Sequence, residues 1–306
     1  MSTKGISILA PMEGVTDIVF RQVVARAARP DIFVTEFTNV SSYASEKGRP
    51  NALERLRYLP EEIPIVPQIW GTNPEHFTVT AQGLVELGYK SIDINMGCPE
   101  RHVVATGGGS GLIKTPELAA EIIAATKTAG LPVSVKTRLG YSKLDEWHDW
   151  LSHLLHQDIS ALTVHFRTKK EMSKVAAHHE LIPDVIKLRD EIAPQTKLYL
   201  NGDFTSLHEN QQYIGMGADG IMIGRGVFAN PFCFESEPRE HSREELVDLL
   251  RYHLDLHDQH APRPYDPLKR FFKIYINNFP GASDIRIQLM DTTNTDEARQ
   301  VLDMIQ

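Results

Sequence analysis

One cysteine is the side chain of this sequence best placed to do chemistry. Cys98 follows the apolar run 90–95 and precedes the glycine-rich segment 106–112. The turn residues Gly97 and Pro99 flank it, so the thiol is predicted to lie outside regular structure and to face a cleft. A thiol with an ordinary pKa of about 8.5 is protonated at neutral pH and can donate a proton. Because most cysteines are buried and inert, simple packing is the competing interpretation.

Other groups that could bind a ligand stand at the ends of short apolar runs. Where such runs are parallel strands of a barrel, their carboxyl ends build the active site. Any single member could be an exposed loop residue, but the combined pattern predicts one ligand site. The strand-end residues are Met12, Glu36, Gln68, Asn95, Lys136, His165, Asn201, Asp203, Gly224 and Arg225.

Glycines near the last two apolar runs predict a phosphorylated ligand. Gly202 lies in the turn 201–204, and Gly224 lies in the turn 223–226. Loops at these places in a barrel frequently bind phosphate through backbone N–H groups, and Arg225 can add a bidentate charged contact. Each motif alone is weak because glycine turns are common, so the prediction depends on their joint position.

The runs that position these residues read as strand–helix units. Their Val, Ile and Leu content is nearly continuous, as in strands covered on both faces, and helical patterns separate them at 74–88, 115–130 and 206–218. Eight units over roughly 230 residues predict an α/β fold, a (β/α)8 TIM barrel. A doubly wound sheet would need a Gly-x-Gly-x-x-Gly turn after the first strand, where residues 10–17 read APMEGVTD. The predicted strands are 6–10, 31–37, 64–70, 91–95, 132–138, 161–166, 197–201 and 220–224.

The sequence changes character after about residue 236, where a polar linker, 236–242, begins. We predict a catalytic barrel over residues 1–236 and a small all-helical C-terminal domain over 237–306. Histidines in helical stretches, His253 among them, are predicted at the surface. The helical patterns of this region lie at 244–260, 267–279 and 296–306, with a break at 280–284.

Composition excludes several classes of protein. The 306 residues carry a net charge of −8, which argues against a strongly basic nucleic-acid binder, so a bound polyanion would need a local basic strip. Only two cysteines occur, without a Cys-x-x-Cys pair, which fits a reduced, cytoplasmic setting. Apolar runs stay well below the roughly 18 residues of a membrane span, so no membrane partner is expected.

Two motifs resemble functional sites but fail on their details. The segment 106–115, TGGGSGLIKT, lacks the Gly-Lys-Ser/Thr junction of a Walker loop, and we interpret it as a mobile loop near Cys98. His178 and His179 have no third ligand at a suitable spacing, so no metal site is predicted.

An ordered set of seven segments resembles the serial motifs of the tRNA-dihydrouridine synthases, and such a set is far more specific than any one motif. The resemblance covers the whole predicted barrel. It extends into the tail, where residues 279–289 are similar to a segment of the bacterial B-type members. The segments are APMEGVTD (10–17), TEF (35–37), INMGCP (94–99), VKTRLG (135–140), VHFRT (164–168), NGD (201–203) and IGRG (223–226).

The resemblance implies an enzyme with FMN in its barrel and a helical domain that helps to hold tRNA. In this family NADPH reduces the FMN, hydride passes from the reduced FMN to C6 of uridines in the tRNA D-loop, and a proton is added at C5. The product is 5,6-dihydrouridine. A cytoplasmic monomer without a DNA partner is expected.

The family's roles carry over to matching positions of this chain. The resemblance implies that Cys98 is the catalytic acid and that Asn95 and Arg167 bind the substrate. Basic residues of the tail, Lys269, Arg270 and Lys273, are expected to contact tRNA. The implied FMN-binding residues are Pro11, Met12, Gln68, Lys136, His165, Asn201, Gly202, Asp203, Gly224 and Arg225.

The chain departs from the family pattern beside His165. Where the family usually reads His-Gly-Arg-Thr, residues 165–168 read HFRT, with Phe166 in place of glycine. Two alternative functions stay open. One is an FMN barrel that acts on a free pyrimidine, as dihydroorotate or dihydropyrimidine dehydrogenases do, although it would have no use for a basic tail. The other is a tRNA-binding protein whose flavin chemistry is lost, to which Phe166 alone points.

Overall fold

A ring of parallel strands forms the centre of the molecule. The computed structural model describes residues 5–260 and 263–305. The strands within these residues are β1 (Ile6–Leu9), β2 (Phe33–Val34), β3 (Thr38–Asn39), β4 (Ile65–Val66), β5 (Gln68–Trp70), β6 (Ile92–Met96), β7 (Val133–Arg138), β8 (Ala161–His165), β9 (Lys197–Asn201) and β10 (Gly220–Ile223).

The strand order confirms the predicted barrel. One sheet runs β1-β10-β9-β8-β7-β6-β5-β3, and β2 pairs with β4. The ring closes where Ile8 bridges Ile32 and the Leu9 N–H donates to the Ile32 carbonyl at 3.1 Å. The second predicted strand, 31–37, contains only β2, and β3 begins just after it, whereas the third, 64–70, is split into β4 and β5. Pro67 separates β4 from β5, because proline has no N–H to give to a ladder.

Helices cover the outside of the ring. Two predicted helices are confirmed as α4 and α6, each with proline in its first turn. The predicted helix 206–218 is wrong in extent: only Gln211–Gly215 is α-helical, after a 3-10 turn at His208–Asn210, and Gly215 and Gly217 end it. The helices up to residue 229 are α1 (Ile18–Ala27), α2 (Val40–Ala44), α3 (Arg49–Arg55), α4 (Pro74–Glu86), α5 (Arg101–Ala105), α6 (Pro116–Lys127), α7 (Trp147–Leu155), α8 (Ile182–Ile192), α9 (Gln211–Gly215) and α10 (Gly226–Ala229).

The C-terminal region is helical, as predicted, but its break is misplaced. The chain turns at Gly281, whose φ of +80° suits glycine, and a helix begins at Ala282, inside the predicted break. The pattern at 267–279 forms a 3-10 turn, Asp266–Phe271, and one short helix. The helices are α11 (Arg243–His260), α12 (Phe272–Tyr275), α13 (Ala282–Asp291) and α14 (Thr295–Asp303).

Aromatic side chains join these helices to the barrel. Helix α11 packs on α1, and the Phe20 ring stacks on Phe271 with centroids 4.8 Å apart. His253 is 2% exposed in the same interface, and its Nδ1 lies 2.7 Å from the Tyr275 hydroxyl. The prediction of a surface histidine is therefore wrong: His253 lies on the face of α11 that meets the barrel. Burial lowers the pKa of His253 to about 3, so it is neutral.

The boundary at residue 236 stays a prediction, because the helical region shares this apolar interface with the barrel. Across 5–260 and 263–305, no helix combines the length and the apolar composition that crossing a membrane requires.

Candidate active site

A cavity of about 520 Å³ opens at the carboxyl ends of the strands. Strand register explains why the predicted residues meet there: Asn95 is the partner of Lys136, His165 is the partner of Asn201, and Asn201 is the partner of Met222. Strand ends of equal height thus surround one space. The predicted residues on its wall are Pro11, Met12, Gln68, Asn95, Cys98, Lys136, His165, Arg167, Asn201, Gly202, Asp203, Gly224 and Arg225.

The predicted tRNA-binding residues lie elsewhere. Lys269, Arg270 and Lys273 border a separate groove of about 420 Å³ with Arg286 on α13. The exposed side chains of Ile287 and Met290 line the same groove. The structure therefore separates the cavity of the barrel from a basic groove of the C-terminal region.

Cys98 stands on a turn that side chains hold in place. The Asn95 Oδ1 accepts hydrogen bonds from the N–H groups of Gly97 at 3.1 Å and Cys98 at 2.8 Å. The Ser110 N–H and Oγ donate to the Cys98 carbonyl at 3.0 and 2.9 Å. Burial raises the pKa of the Cys98 thiol above its ordinary value, so the thiol is protonated at neutral pH.

The glycine-rich segment beside Cys98 is ordered, and its interpretation as a mobile loop is wrong. Residues Gly109–Lys114 form a 3-10 helix, and Ser110 and Leu112 are fully buried. Gly109 has a φ of +55°, and a Cβ on it would lie 2.8 Å from the Cys98 carbonyl oxygen. The glycines therefore permit close packing against the cysteine turn, rather than motion.

Lys136 is a half-buried cation on the cavity wall. Its Nζ donates to the Asn201 Oδ1 at 3.1 Å, and the Asn201 Nδ2 donates to the Met222 carbonyl at 2.8 Å. Burial, helped by the charge of Arg138, lowers the pKa of Lys136 to about 8, although Asp93 opposes the shift. Lys136 is therefore mostly charged at neutral pH and close to its titration point.

His165 is held neutral among cations. Burial, followed by the charges of Arg138 and Lys136, lowers the pKa of His165 well below its ordinary value. The Arg167 Nη1 donates to its Nε2 at 3.1 Å, which fixes that nitrogen as an acceptor. Its other ring nitrogen therefore carries the proton and is a donor.

Arg167 is a structural link as much as a wall residue. It is 2% exposed, its Nε donates to the Val175 carbonyl at 2.7 Å, and its Nη2 pairs with Asp203. Asp203 also accepts from the Ala177 N–H at 3.0 Å and from the Arg225 Nη2 at 3.2 Å. Burial acts to raise the pKa of Asp203, but these hydrogen bonds and both arginine charges bring it below the ordinary value.

Arg138 is a wall residue that the sequence analysis missed. Its Nε donates to the Gly97 carbonyl at 2.8 Å, and its Nη1 donates to the Met172 carbonyl at 2.9 Å. It thereby supports the cysteine turn and the loop after β8. The available signal was its position two residues after Lys136 on the same strand, because alternate residues of a strand share a face.

Two other residues have roles different from those that their positions in the sequence suggested. Glu36, a strand-end residue, does not line the cavity: it pairs with Arg263 and accepts from the Gly14 N–H. Phe166, the departure beside His165, is fully buried in the apolar core and is not among the wall residues. The ring therefore leaves the cavity open.

A second cavity of about 530 Å³ meets the first at Cys98. Its walls include Phe37, Arg55, Trp70 and Glu100. The cysteine thus stands between two spaces, one inside the strand ends and one beside α3 and α5. For the part of the chain that the structure describes, no cluster of three or more metal-ligating side chains exists.

Comparisons with known proteins identify the family of the chain. The family model described as Dihydrouridine synthase matches residues 8–306. A probable tRNA-dihydrouridine synthase 2 of Bacillus subtilis (strain 168) is 57% identical over 303 residues, which cover 97% of this chain and 92% of that protein. A probable tRNA-dihydrouridine synthase of Staphylococcus epidermidis is 56% identical with the same coverage.

Solved structures with the same fold are distant in sequence. Histamine dehydrogenase from Rhizobium sp. 4-9 aligns over 85% of this chain with a TM-score of 0.54 and 12% identity. A 2-naphthoyl-CoA reductase aligns over 74% of this chain with a TM-score of 0.55 and 9% identity. The chain spans about half the length of each, 49% and 48%. These likenesses support the barrel fold.

Proposed function

The chain belongs to the dihydrouridine synthase family, and from that premise we propose that it reduces uridines in the D-loop of tRNA with FMN as cofactor and NADPH as reductant. It is a tRNA-modifying oxidoreductase of the flavoprotein class with a barrel fold. The observation that carries the finer proposal is the cavity in which a protonated thiol, a half-buried lysine and a neutral histidine share one wall. A cytoplasmic location and a monomeric state are part of the same proposal.

The cavity fits FMN in volume and in charge. Its volume of about 520 Å³ lies within the ordinary range of small-molecule sites. Lys136, Gly202, Gly224 and Arg225 all line it, and the Arg225 side chain is 60% exposed. We assign the phosphate to Arg225 and these glycines, because a guanidinium and backbone N–H groups would bind its oxygens.

Proton transfer is the step we assign to Cys98. FMN, when bound, would supply a hydride equivalent to C6 of the uracil ring. The chain must then deliver a proton at C5, and a thiol whose pKa is raised by burial keeps its proton until it is needed. Lys136, which lines the cavity, would supply a positive charge to balance negative charge on the reduced cofactor.

Substrate access supports the same assignment. A nucleotide of tRNA must reach Cys98 from outside the strand ends, and the second cavity reaches Cys98 beside Arg55 and Trp70. An aromatic ring and an arginine suit a base and its phosphate. The Asn95 Nδ2 has one N–H not used by Gln68, which we assign to the uracil.

The basic groove of the C-terminal region is the second contact that we propose for tRNA. Arg270, Lys273 and Arg286 border it, which offers positive charge on a protein of net charge −8. Folded RNA is recognised mainly through its backbone and shape, so a local basic groove is sufficient. Lys269 contributes less free charge, because its Nζ lies 3.0 Å from both the Met290 carbonyl and Asp266.

Direct analysis of tRNA tests the proposal. We expect dihydrouridine to be absent at one or more D-loop positions of tRNA from cells that lack this protein, and to return when the purified protein, FMN and NADPH are added. Unchanged dihydrouridine content together with turnover of free uracil or dihydroorotate would contradict it.

A further inference from the structure

Beneath the cavity, three polar side chains form a continuous hydrogen-bonded chain that ends on the cysteine turn. The Gln68 Nε2 donates to the Asp93 Oδ2 at 2.6 Å, and the Asn95 Nδ2 donates to the Gln68 Oε1 at 2.9 Å. The Asn95 Oδ1 then accepts the N–H groups of Gly97 and Cys98. We call Asp93, Gln68 and Asn95 the amide relay.

We propose that Asp93 is a positioning residue for Cys98: it sets the orientation of both amides of the relay and thereby holds the turn that carries the thiol. This inference rests on the proposed function, in which Cys98 supplies the proton.

Asp93 is buried without any contact to the cavity. It is 4% exposed, lies on β6 between its register partners Gln68 and Ser134, and is not a wall residue. The Ser134 Oγ donates to its Oδ1 at 2.6 Å. A carboxyl group in a barrel core costs free energy unless it is hydrogen-bonded, and an apolar residue would fill the position more favourably. A buried carboxyl group at this position therefore requires an explanation, and its hydrogen bond to Gln68 in the relay provides one.

The polarity of the relay follows from Asp93. Both Asp93 oxygens accept hydrogen bonds, Oδ1 from Ser134 and Oδ2 from Gln68, so Gln68 turns its NH₂ toward Asp93 and its carbonyl oxygen toward Asn95. Asn95 must then turn its own NH₂ toward Gln68, which leaves its oxygen facing the turn. Each amide has one favourable orientation, because the reverse would place two acceptors against each other.

The backbone gives the same orientation from the other end. The N–H groups of Gly97 and Cys98 are donors, so the Asn95 atom that faces them must be its oxygen. The acceptor Asp93 at one end and the donor N–H groups of the turn at the other are thus connected by two amides in compatible orientations. If either amide were reversed, a buried polar group would lose its hydrogen-bond partner.

The first experiment compares Asp93→Leu with Asp93→Asn. Asparagine can still accept from Gln68 while its NH₂ donates to the Ser134 Oγ, so the relay is retained without the charge. Leucine of similar size removes the acceptor and frees both amides. We expect tRNA-dependent reoxidation of the NADPH-reduced enzyme at saturating tRNA to slow about 10- to 100-fold in Asp93→Leu and to stay close to the parental rate in Asp93→Asn. In Asp93→Leu the KM for tRNA should change much less than this rate, because the basic groove is separate from the relay.

The second experiment reverses the relay and keeps the proposal testable if Asp93→Leu fails to fold. Asn95→Asp still accepts from the turn but requires the Gln68 NH₂, which places the Gln68 oxygen against Asp93. Adding Asp93→Asn supplies a donor to that oxygen, and its own oxygen still accepts from Ser134. We expect the double variant to be reoxidised at least about threefold faster than Asn95→Asp alone.

A matched control separates polarity from charge. Asn95→Asp combined with Asp93→Leu also removes the repulsion between two carboxylates, but it offers no donor to Gln68. Equal recovery in both double variants would overturn the relay, and so would no recovery in either. Flavin content, flavin reduction by NADPH and melting temperature are measured on every variant, so that general damage is recognised.

Alkylation by iodoacetamide tests the turn without using the reaction. Cys98 is half-buried whereas Cys233 is 2% exposed with its pKa raised to about 12, so the rate reports Cys98. We expect alkylation to be several-fold faster in Asp93→Leu, because a loosened turn exposes the thiol. Asp93→Asn should match the parental rate. If Cys98 is not the acid, Cys98→Ala keeps its activity while this difference in alkylation remains. Equal alkylation in all three proteins would overturn the relay itself.

Discussion

Arg263 binds Glu36 with one guanidinium nitrogen placed symmetrically, its Nη2 lying 2.9 Å from each carboxylate oxygen. The Glu36 side chain is 3% exposed and also accepts the N–H of Gly14, two residues beyond the cavity residue Met12. The contact therefore joins the C-terminal region to the loop that borders the cavity. It also explains why this strand-end carboxylate takes no part in the cavity wall.

Replacing Cys98 by alanine should affect one half-reaction. The variant should retain flavin, tRNA binding and flavin reduction by NADPH. Reoxidation by tRNA should slow by about 10²- to 10⁴-fold, the usual effect of a positioned general acid. Single-turnover absorbance of the flavin measures both half-reactions. Cys233→Ala, at the buried cysteine, is the matched control and should keep the parental rate. Parental dihydrouridine formation by Cys98→Ala would remove the acid assignment.

Replacing Arg225 by alanine should weaken flavin retention. The change removes a charge-assisted contact with phosphate, worth about 1.5–3 kcal/mol, or roughly 10- to 150-fold in Kd. Titration of the apoprotein with FMN measures the constant, and riboflavin, which has no phosphate, should bind both proteins equally. Arg239→Ala removes another exposed arginine with carboxylate partners and serves as control. Equal FMN affinity in all three proteins would place the phosphate elsewhere.

The basic groove predicts a salt-dependent contribution to tRNA binding. Alanine at Lys269, Arg270 and Lys273 should raise the KM for tRNA and reduce the slope of log K against log salt by up to about 3. Lys269→Ala alone should have the smallest effect, because its Nζ is already bound to Met290 and Asp266.

A control for the groove removes three exposed cations elsewhere. Lys90 and Lys197 lie at the amino ends of β6 and β9, opposite the cavity, and Lys187 lies on α8. Their joint replacement changes the net charge equally. If both triple variants lose the same salt dependence, the groove has no specific role.

Lys136 predicts a pH limit on flavin binding. Its pKa in the folded apoprotein is lowered to about 8, from an ordinary value near 10.5. The lysine is charged below that pH and loses its charge as the pH rises through it, so affinity for the anionic cofactor should fall above about pH 8. FMN titration from pH 6 to pH 9.5 measures this change. Lys136→Met should bind weakly and without this step, whereas a step of equal size in that variant would assign it to another group.

The sequence predicts the site better than the packing around it. Parallel strands place their carboxyl ends at one edge, so position at a strand end is enough to predict which residues share the cavity. These residues are Gln68, Asn95, Lys136, His165 and Asn201. The partners of those residues could not be predicted in this way. They depend on register, and the relay from Asp93 to Cys98 crosses two strands whose pairing is visible only in the folded chain.

Predictions from local sequence patterns were wrong where tertiary contacts bury a segment that the pattern predicts to be exposed or mobile. Glycine-rich sequence is typical of mobile loops, but Leu112 and Ile113 anchor residues 109–114 in the core. A histidine in a polar helix is usually exposed, but Phe20 and Phe271 enclose His253. Both errors arise because burial is decided by the neighbouring elements and not by the segment itself.

Gly109 packs closely against the turn that carries Cys98 because it has no side chain. A methyl group there would meet the Cys98 carbonyl oxygen and a Val103 methyl, each at 2.8 Å, and the Cys98 Cβ at 3.2 Å. The backbone oxygen belongs to Cys98 itself and Val103 is buried, so a substitution at position 109 must shift the cysteine turn or the Val103 side chain. Gly109→Ala should therefore change the position of the Cys98 thiol without changing its chemical identity. The position of the Cys98 thiol thus depends on a glycine that lies eleven residues further along the chain.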